Sequence, residues 1–224
     1  MMRKTVLFCL IAGFAAISAT AGIAAENQGQ AAGAEDILEG LEDRYAGRNF
    51  SADFRQESTL KAMDITDTAS GQAWFKHPGK MRWEYQEPEQ HVIISDGETL
   101  WIYRPADNQV IIGDAAKYFG TGKGASFLAD FTLIREAFDV SMEKAEENHW
   151  RLKLVPEEKQ IDLSAIYLEV NRQPLDITEV VTENAYGDIT RIYLDNPEFH
   201  PDMKDKLFDF RIPQGADVIE MDEQ

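Results

Sequence analysis

KMRWEYQ, residues 80–86, sets Met81, Trp83 and Tyr85 against the charged Arg82 and Glu84. Successive side chains of a strand point to opposite faces, so this alternation describes a half-buried β-strand and not a helix. The same period runs outward in both directions. Upstream, in FSADFRQESTLKAM (50–63), Phe50, Ala52, Phe54, Leu60 and Ala62 tend to one face. Downstream come HVIIS, TLWIYR, QVIIG, FDVSMEK, HWRLKLV, SAIYLEV, LDITEVV and DITRIYLD. Turn signals separate many of these runs: Glu87-Pro88-Glu89, Asp96-Gly97, Pro105 to Asn108, Asn171 to Pro174 and Tyr186-Gly187-Asp188. About ten short strands at this spacing predict a mainly β protein, an antiparallel barrel or strongly curved sheet.

Two stretches keep a helical period instead. In EDILEGLEDRYAGR (35–48), Ile37, Leu38, Leu41 and Tyr45 fall on one face. Glu35 and Asp36 suit the positive start of a helix, and Arg44 and Gly47 its end. Between QVIIG and FDVSM lies DAAKYFGTGKGASFLADFTLIREA (114–137), where Phe127, Leu128, Phe131 and Ile134 have helical spacing behind a glycine-rich segment. That segment resembles a phosphate loop only superficially. Aligned on Gly122-Lys123, the first glycine of G-x-x-x-x-G-K-[ST] falls on Lys117 and its hydroxyl residue on Gly124. Neither the amide cradle nor the metal-binding hydroxyl is specified, and the glycines read as a hinge.

The first 24 residues read as a cleavable secretory signal. A basic start, MMRKT, precedes the apolar VLFCLIAGFAAISATA and then small residues, with cleavage expected after Ala21 or Ala24. Residues 25–224 are then expected to form one domain. The single cysteine, Cys9, lies inside the apolar run. The remainder therefore has no disulfide, thiol nucleophile or cysteine metal site. The formal charge is −18; removing Arg3 and Lys4 with the signal leaves 20 cations against 40 acids, near −20. Such a surface does not suit nucleic acid or an anionic bilayer.

Two catalytic motifs are absent from the sequence, while its many acids leave a carboxylate pair for glycoside hydrolysis as the competing enzyme reading. The histidines at 77, 91, 149 and 200 form no H-E-x-x-H, and Gly124 to Leu128 lacks the second glycine of G-x-S-x-G. Asp64, Asp67 and Gly71 suggest a calcium loop only faintly, with no closing bidentate glutamate. Most acids, as in EKAEEN (143–148), sit at outward positions or turns and read as a solvated face. No metal, cofactor or enzymatic activity is expected.

Larger motifs point to a family. WFKHPGKMRWEYQEPEQHVIISDGETLWIYRP (Trp74 to Pro105) resembles the LolA family of periplasmic carriers of outer-membrane lipoproteins. ADFRQ (52–56) is similar to the family's first strand, and FDFRIPQGADV (208–218) to its closing segment. The resemblance implies an incomplete antiparallel barrel with an N-terminal helix and a short helical lid across the opening. It implies an apolar cavity for acyl chains, with Met81 just after the strand-linking proline, Trp83 and Tyr85 continuing its face, and Phe54, Trp74, Leu100 and Ile102 completing the wall. Phe127 and Leu128 would form the apolar face of the lid. It implies a periplasmic monomer that takes lipoproteins from an inner-membrane ABC-type exporter and delivers them to an outer-membrane receptor lipoprotein. The family's receptor-like relatives are lipid-anchored, and no cysteine stands at the cleavage site here. At the position of the arginine that latches the family's lid stands His77. Histidine has fewer donors and changes charge near physiological pH, which implies a weaker or pH-sensitive latch. A carrier or sensor of another lipid, a phospholipid or glycolipid, is the alternative on the same fold.

Overall fold

The computed structural model describes residues 33–119, 123–129 and 131–221. The expected signal and Gly120 to Gly122 of the glycine segment lie outside the described residues.

Helix α1 (Ala34–Tyr45) forms where the period predicts it, with Ile37, Leu38, Leu41 and Tyr45 buried. The Asp36 carboxylate reaches back to accept from the Gly33 N–H at 2.8 Å. This satisfies one of the orphan donors at a helix start. The chain then turns through Gly47, whose φ of +69° is the left-handed conformation glycine tolerates.

Among the described residues twelve strands follow: β1 (Phe50–Leu60), β2 (Ile65–Lys76), β3 (Lys80–Glu87), β4 (His91–Asp96), β5 (Thr99–Arg104), β6 (Gln109–Asp114), β7 (Phe138–Ala145), β8 (His149–Pro156), β9 (Ala165–Asn171), β10 (Ile177–Glu183), β11 (Ile189–Phe199) and β12 (Asp217–Glu220). They make one sheet in the order β12-β6-β5-β4-β3-β2-β1-β11-β10-β9-β8-β7. The sheet has two ends and does not close. Every described pairing is antiparallel except β12 on β6, which is parallel. Leu60 and Ala62 depart from expectation. β1 ends at Leu60 and a turn follows, so both are exposed at a hairpin tip and not on the buried face.

The 114–137 connection is three short pieces, where the sequence predicted one helical element: α2 (Ala115–Phe119), a 3-10 segment (Lys123–Ala129) and α3 (Thr132–Ala137). The 3-10 segment contacts β2, β3 and β10. Two other strands, β1 and β11, separate β2 from β10 in the sheet. One short element therefore touches both flanks, which places it across the concave face of a strongly curved sheet. The core fills that concavity. Phe50, Phe54, Phe75, Met81 and Trp83 from one half meet Leu152, Leu168, Val180 and Leu194 from the other, under α1, Phe127 and Phe131.

The chain beyond β11 crosses the opposite, convex face before pairing as β12. The Lys76 ammonium donates to the Met203 carbonyl at 2.7 Å, Arg82 donates to the Leu207 carbonyl at 3.3 Å, and Phe210 packs beside Trp101 and Tyr103.

Candidate functional site

The register sorts the sequence candidates by face. Met81 pairs with Phe75 and Ser95, Trp83 with Ala73 and Ile93, and Tyr85 with Gly71 and His91. Directly opposed residues share a face. Phe54 lies opposite Gly71. Leu100 lies opposite Ser95, and Ile102 opposite Ile93. All six of these candidates therefore line the concave face, and Phe127 and Leu128 approach it from the 3-10 segment, both buried.

Trp74 does not join them. It pairs with Arg82 and Ser51, which puts it on the convex face. There it borders a groove with Pro201, Met203 and Leu207. The neighbour, Phe75, takes the inward position, fully buried.

The concave wall is an aromatic ladder. Phe127 meets Phe131 edge-on, Phe131 stacks on Tyr45 at 5.1 Å, and Tyr45 meets Phe50 edge-on at 5.1 Å. Phe50 stacks on Phe75 at 4.7 Å, and Phe75, Trp83, Phe54 and Tyr85 follow in edge-on contacts. Edge-on and offset contacts suit the ring quadrupoles and add to the gain from burial. Phe50, Phe75, Tyr45 and Phe131 in this ladder were not among the sequence candidates for the wall.

The ladder's far end is polar. The Tyr85 hydroxyl donates to Gln56 Oε1 at 2.9 Å, and His91 stacks on the Tyr85 ring at 4.0 Å. Burial, with a smaller contribution from the charge of Tyr118, pushes the Tyr85 phenol up to about 12. Partial burial pulls the His91 imidazole down, and nearby Arg104 acts the same way, against its contact with the Glu89 carbonyl.

From Trp83 a row of isoleucines continues along the concave face. Ile93, Ile102, Ile111 and Ile219 stand opposite one another across β4, β5, β6 and β12. The row runs from buried Trp83 to Ile219, which is 43% exposed at the sheet edge.

The segment over the wall is tied at several points. The Gly79 N–H, in the turn between β2 and β3, donates to the Ala129 carbonyl at 3.2 Å. The Ser126 hydroxyl donates to the Phe119 carbonyl at 3.1 Å. Arg135 on α3 donates from Nε to Glu42 on α1 at 2.6 Å and also pairs with Glu35. Those two carboxylates, Glu42 foremost, hold the guanidinium even more firmly protonated than usual. α1 itself is pinned at its end. Arg44 Nε donates to Asp176 at 2.8 Å, and the Ile177 N–H donates to the Tyr45 hydroxyl at 3.2 Å. His77 is half-buried two residues before Gly79, in the same turn.

Beside the 3-10 segment opens a cleft of about 470 Å³, bounded by Gly79, Met81, Ser95, Ala115, Phe119 and Leu133. Its volume suits a small ligand or part of a chain. Met81 belongs to both the packed wall and this cleft.

Among the described residues a serine–histidine contact on the convex side completes no acid–base relay. Ser51 Oγ and His200 Nε2 are 2.8 Å apart. The nearest carboxylate, Glu198, approaches the same Nε2 at 4.0 Å and so does not orient the ring from its other nitrogen. Among the described residues no group of three or more His, Cys, Asp or Glu could hold a metal ion, and no helix is long and apolar enough to cross a membrane.

Comparison with known proteins agrees with this geometry. The family described as "Outer membrane lipoprotein carrier protein LolA" matches residues 47–211. An outer-membrane lipoprotein carrier protein of Alkalilimnicola ehrlichii is 30% identical over 168 residues, covering 75% of each chain. One of Chromohalobacter salexigens is 27% identical over 204 residues, covering 91% of this chain and 94% of its own. In structure, a conserved protein of Thermus thermophilus superposes with a TM-score of 0.54 at 14% identity, over 84% of this chain and 99% of its own, which shows a shared fold.

Proposed function

The chain belongs to the LolA family of outer membrane lipoprotein carrier proteins, and from that premise we propose that it shelters the acyl chains of lipoproteins against its concave face while they cross an aqueous compartment. The observation that carries this reading is the placement of eight apolar or aromatic candidates (Phe54, Met81, Trp83, Tyr85, Leu100, Ile102, Phe127 and Leu128) on or over one concave face.

The physical task is to hide apolar surface and later give it back. Each buried methylene is worth ~0.8 kcal/mol, so one long acyl chain represents about 10 kcal/mol of transfer energy. The conformation here has the wall occupied by the chain's own Phe127, Leu128 and Phe131. That segment acts as a competing ligand: cargo enters by displacing it, and its return favours release. The cleft at Met81 is the entry point, because there the wall already meets open space. No bond is made or broken in this cycle, and the protein acts as a carrier and not as an enzyme.

The rest of the cycle follows the family. Residues 1–24 direct the chain to the periplasm and are removed, leaving 25–224 as one monomeric carrier domain. An inner-membrane ABC-type exporter loads it, and an outer-membrane receptor lipoprotein unloads it. His77, in the turn that bonds to the 3-10 segment, tunes closure in place of the family's basic latch. A lid-opening measurement that is flat from acidic to mildly basic pH, and the same in His77→Ala, removes that role.

The test is a release assay. Purified protein is added to spheroplasts carrying a labelled outer-membrane lipoprotein. The expected result is label in the soluble fraction, bound to the protein, and none when the lipoprotein lacks its acyl chains. A folded protein that releases nothing refutes the reading. If it also co-purifies with phospholipid or glycolipid, the cargo is that other lipid.

A further inference from the structure

The hairpin of β1 and β2 is longer than its surroundings. β2 pairs with β1 from Ile65 to Phe75, but its pairing with β3 stops at Ser70 opposite Glu87. Pro88 follows and has no N–H to continue the ladder. Ile65 to Ala69 therefore pair on one side only, and among the described residues no strand covers the other. An uncovered edge presents unpaired backbone donors and acceptors, a template for an added strand.

The tip of this hairpin is apolar and exposed. Leu60 and Ile65 stand opposite each other, with Met63 in the turn, at 42%, 46% and 63% exposure. The tip is also braced. The Lys61 N–H donates to Asp188 Oδ1 at 2.9 Å, and Asn184 donates to the other oxygen of the same carboxylate at 3.0 Å. Tyr186, in that bracing turn, is exposed too. An apolar group held out on a braced, half-paired hairpin serves no core.

Charge decides what it meets. Asp64 and Asp67 lie in the turn and on the free stretch, Glu87 stands opposite Ser70 where the β3 pairing stops, Glu89 follows two residues on, and the Lys61 ammonium lies against the Gly187 turn, so one minus four gives these five residues a charge of −3. An anionic bilayer is repelled, and a second copy would bring the same four acids into contact with these. An extended segment carrying lysine or arginine between apolar residues meets both demands, pairing with the backbone and neutralising the acids.

We propose that the β1–β2 hairpin is a docking arm on which an extended, basic and apolar segment of another protein adds as a strand along Ile65–Ala69, seating its apolar side chains on Leu60, Met63 and Ile65. This stands on the hairpin alone and does not depend on what the concave face carries.

The test uses the full chain and two synthetic peptides, Lys-Val-Lys-Ile-Arg-Val-Lys and its counterpart with glutamate at every cationic position. The cationic peptide is expected to bind and to slow hydrogen exchange at Ile65–Ala69, and the acidic one to do neither. Met63→Asp with Ile65→Asp, and separately Asp64→Lys with Asp67→Lys, are expected to weaken binding at least about tenfold. All four positions are exposed, so circular dichroism should report an unchanged fold. Absence of protection at Ile65–Ala69, equal binding of both peptides, or binding indifferent to the variants overturns the proposal. So does self-association, or flotation with phosphatidylglycerol vesicles, that is lost in the Met63→Asp, Ile65→Asp variant. The first would make the partner a second copy and the second a bilayer.

Discussion

The backbone N–H of Gly79 donates to the carbonyl of Ala129, joining the β2–β3 turn to the segment over the concave wall. Only main-chain atoms take part, so the bond depends on backbone shape. Gly79 has φ +67°, and a Cβ there would meet Gly97 at an ordinary 3.5 Å. Gly79→Ala therefore costs conformational strain of roughly 1–2 kcal/mol without a clash. Amides of Ala125 to Ala129 are expected to exchange about tenfold faster, while those of Leu168 and Val170 keep their protection.

The other end of the same segment is tied by charge. Arg135 bridges to Glu42 and Glu35 on α1 from an exposed position. Screening makes such contacts weak for global stability. Arg135→Ala is expected to leave the melting temperature nearly unchanged and to raise exchange in α3. Added salt should reproduce the effect in the wild type and do nothing further in the variant.

Two phenols, Tyr45 buried and Tyr85 partly buried, set a limit at high pH. Burial is the main cause that raises both Tyr45 and Tyr85 to about 12. An unfolded tyrosine ionises near pH 10. The folded state thus holds these protons longer, and their contribution is full below about pH 10 and lost as pH rises from there through 12. The melting temperature should fall steeply across that window. The fall should be shallower in Tyr85→Phe, and phenolate absorbance in the wild type should show two groups ionising late.

Gly71 has no room for a side chain. It sits at a register shift between β2 and β3, and a Cβ would lie 1.9 Å from the Glu84 carbonyl oxygen and 3.0 Å from the Phe54 ring. Gly71→Ala must separate the two strands or displace backbone, at a cost of about 3 kcal/mol. Denaturant midpoints measured by tryptophan fluorescence should show it.

Asp176 collects Arg44 and the Tyr45 hydroxyl at the end of α1. Replacing its charge leaves a partly buried guanidinium without its carboxylate. Asp176→Asn is expected to destabilise by about 2 kcal/mol, and Asp176→Asn with Arg44→Met to recover part of that. Chemical denaturation of the four members of the cycle measures the coupling.

Much of the fold was legible because strand period and turn residues are local signals. The alternation at Met81, Trp83 and Tyr85 identified the inward face, and pairing confirmed it. Trp74 was misplaced because parity does not carry across a turn by residue size. Once Lys76 faces Lys80, Phe75 must face Met81, and its larger neighbour turns outward. The position of Leu60 failed for a similar reason: an apolar residue continues an alternating pattern whether the strand continues or ends. β12 escaped notice because its pairing with β6 is non-local and all four of its residues are exposed. The bracing of α1 by Asp176 joins residues 132 apart in the chain, a separation no periodicity can report.

The sheet has two free ends, at β12 and β7, and this sets its mechanical character. A closed barrel has a circumference fixed by its strand number and stagger, and it can widen only by breaking a ladder. An open one changes girth by altering twist and coiling along rows of intact hydrogen bonds. Its compliance is therefore a property of the whole scaffold, and its radius can change without unzipping any strand.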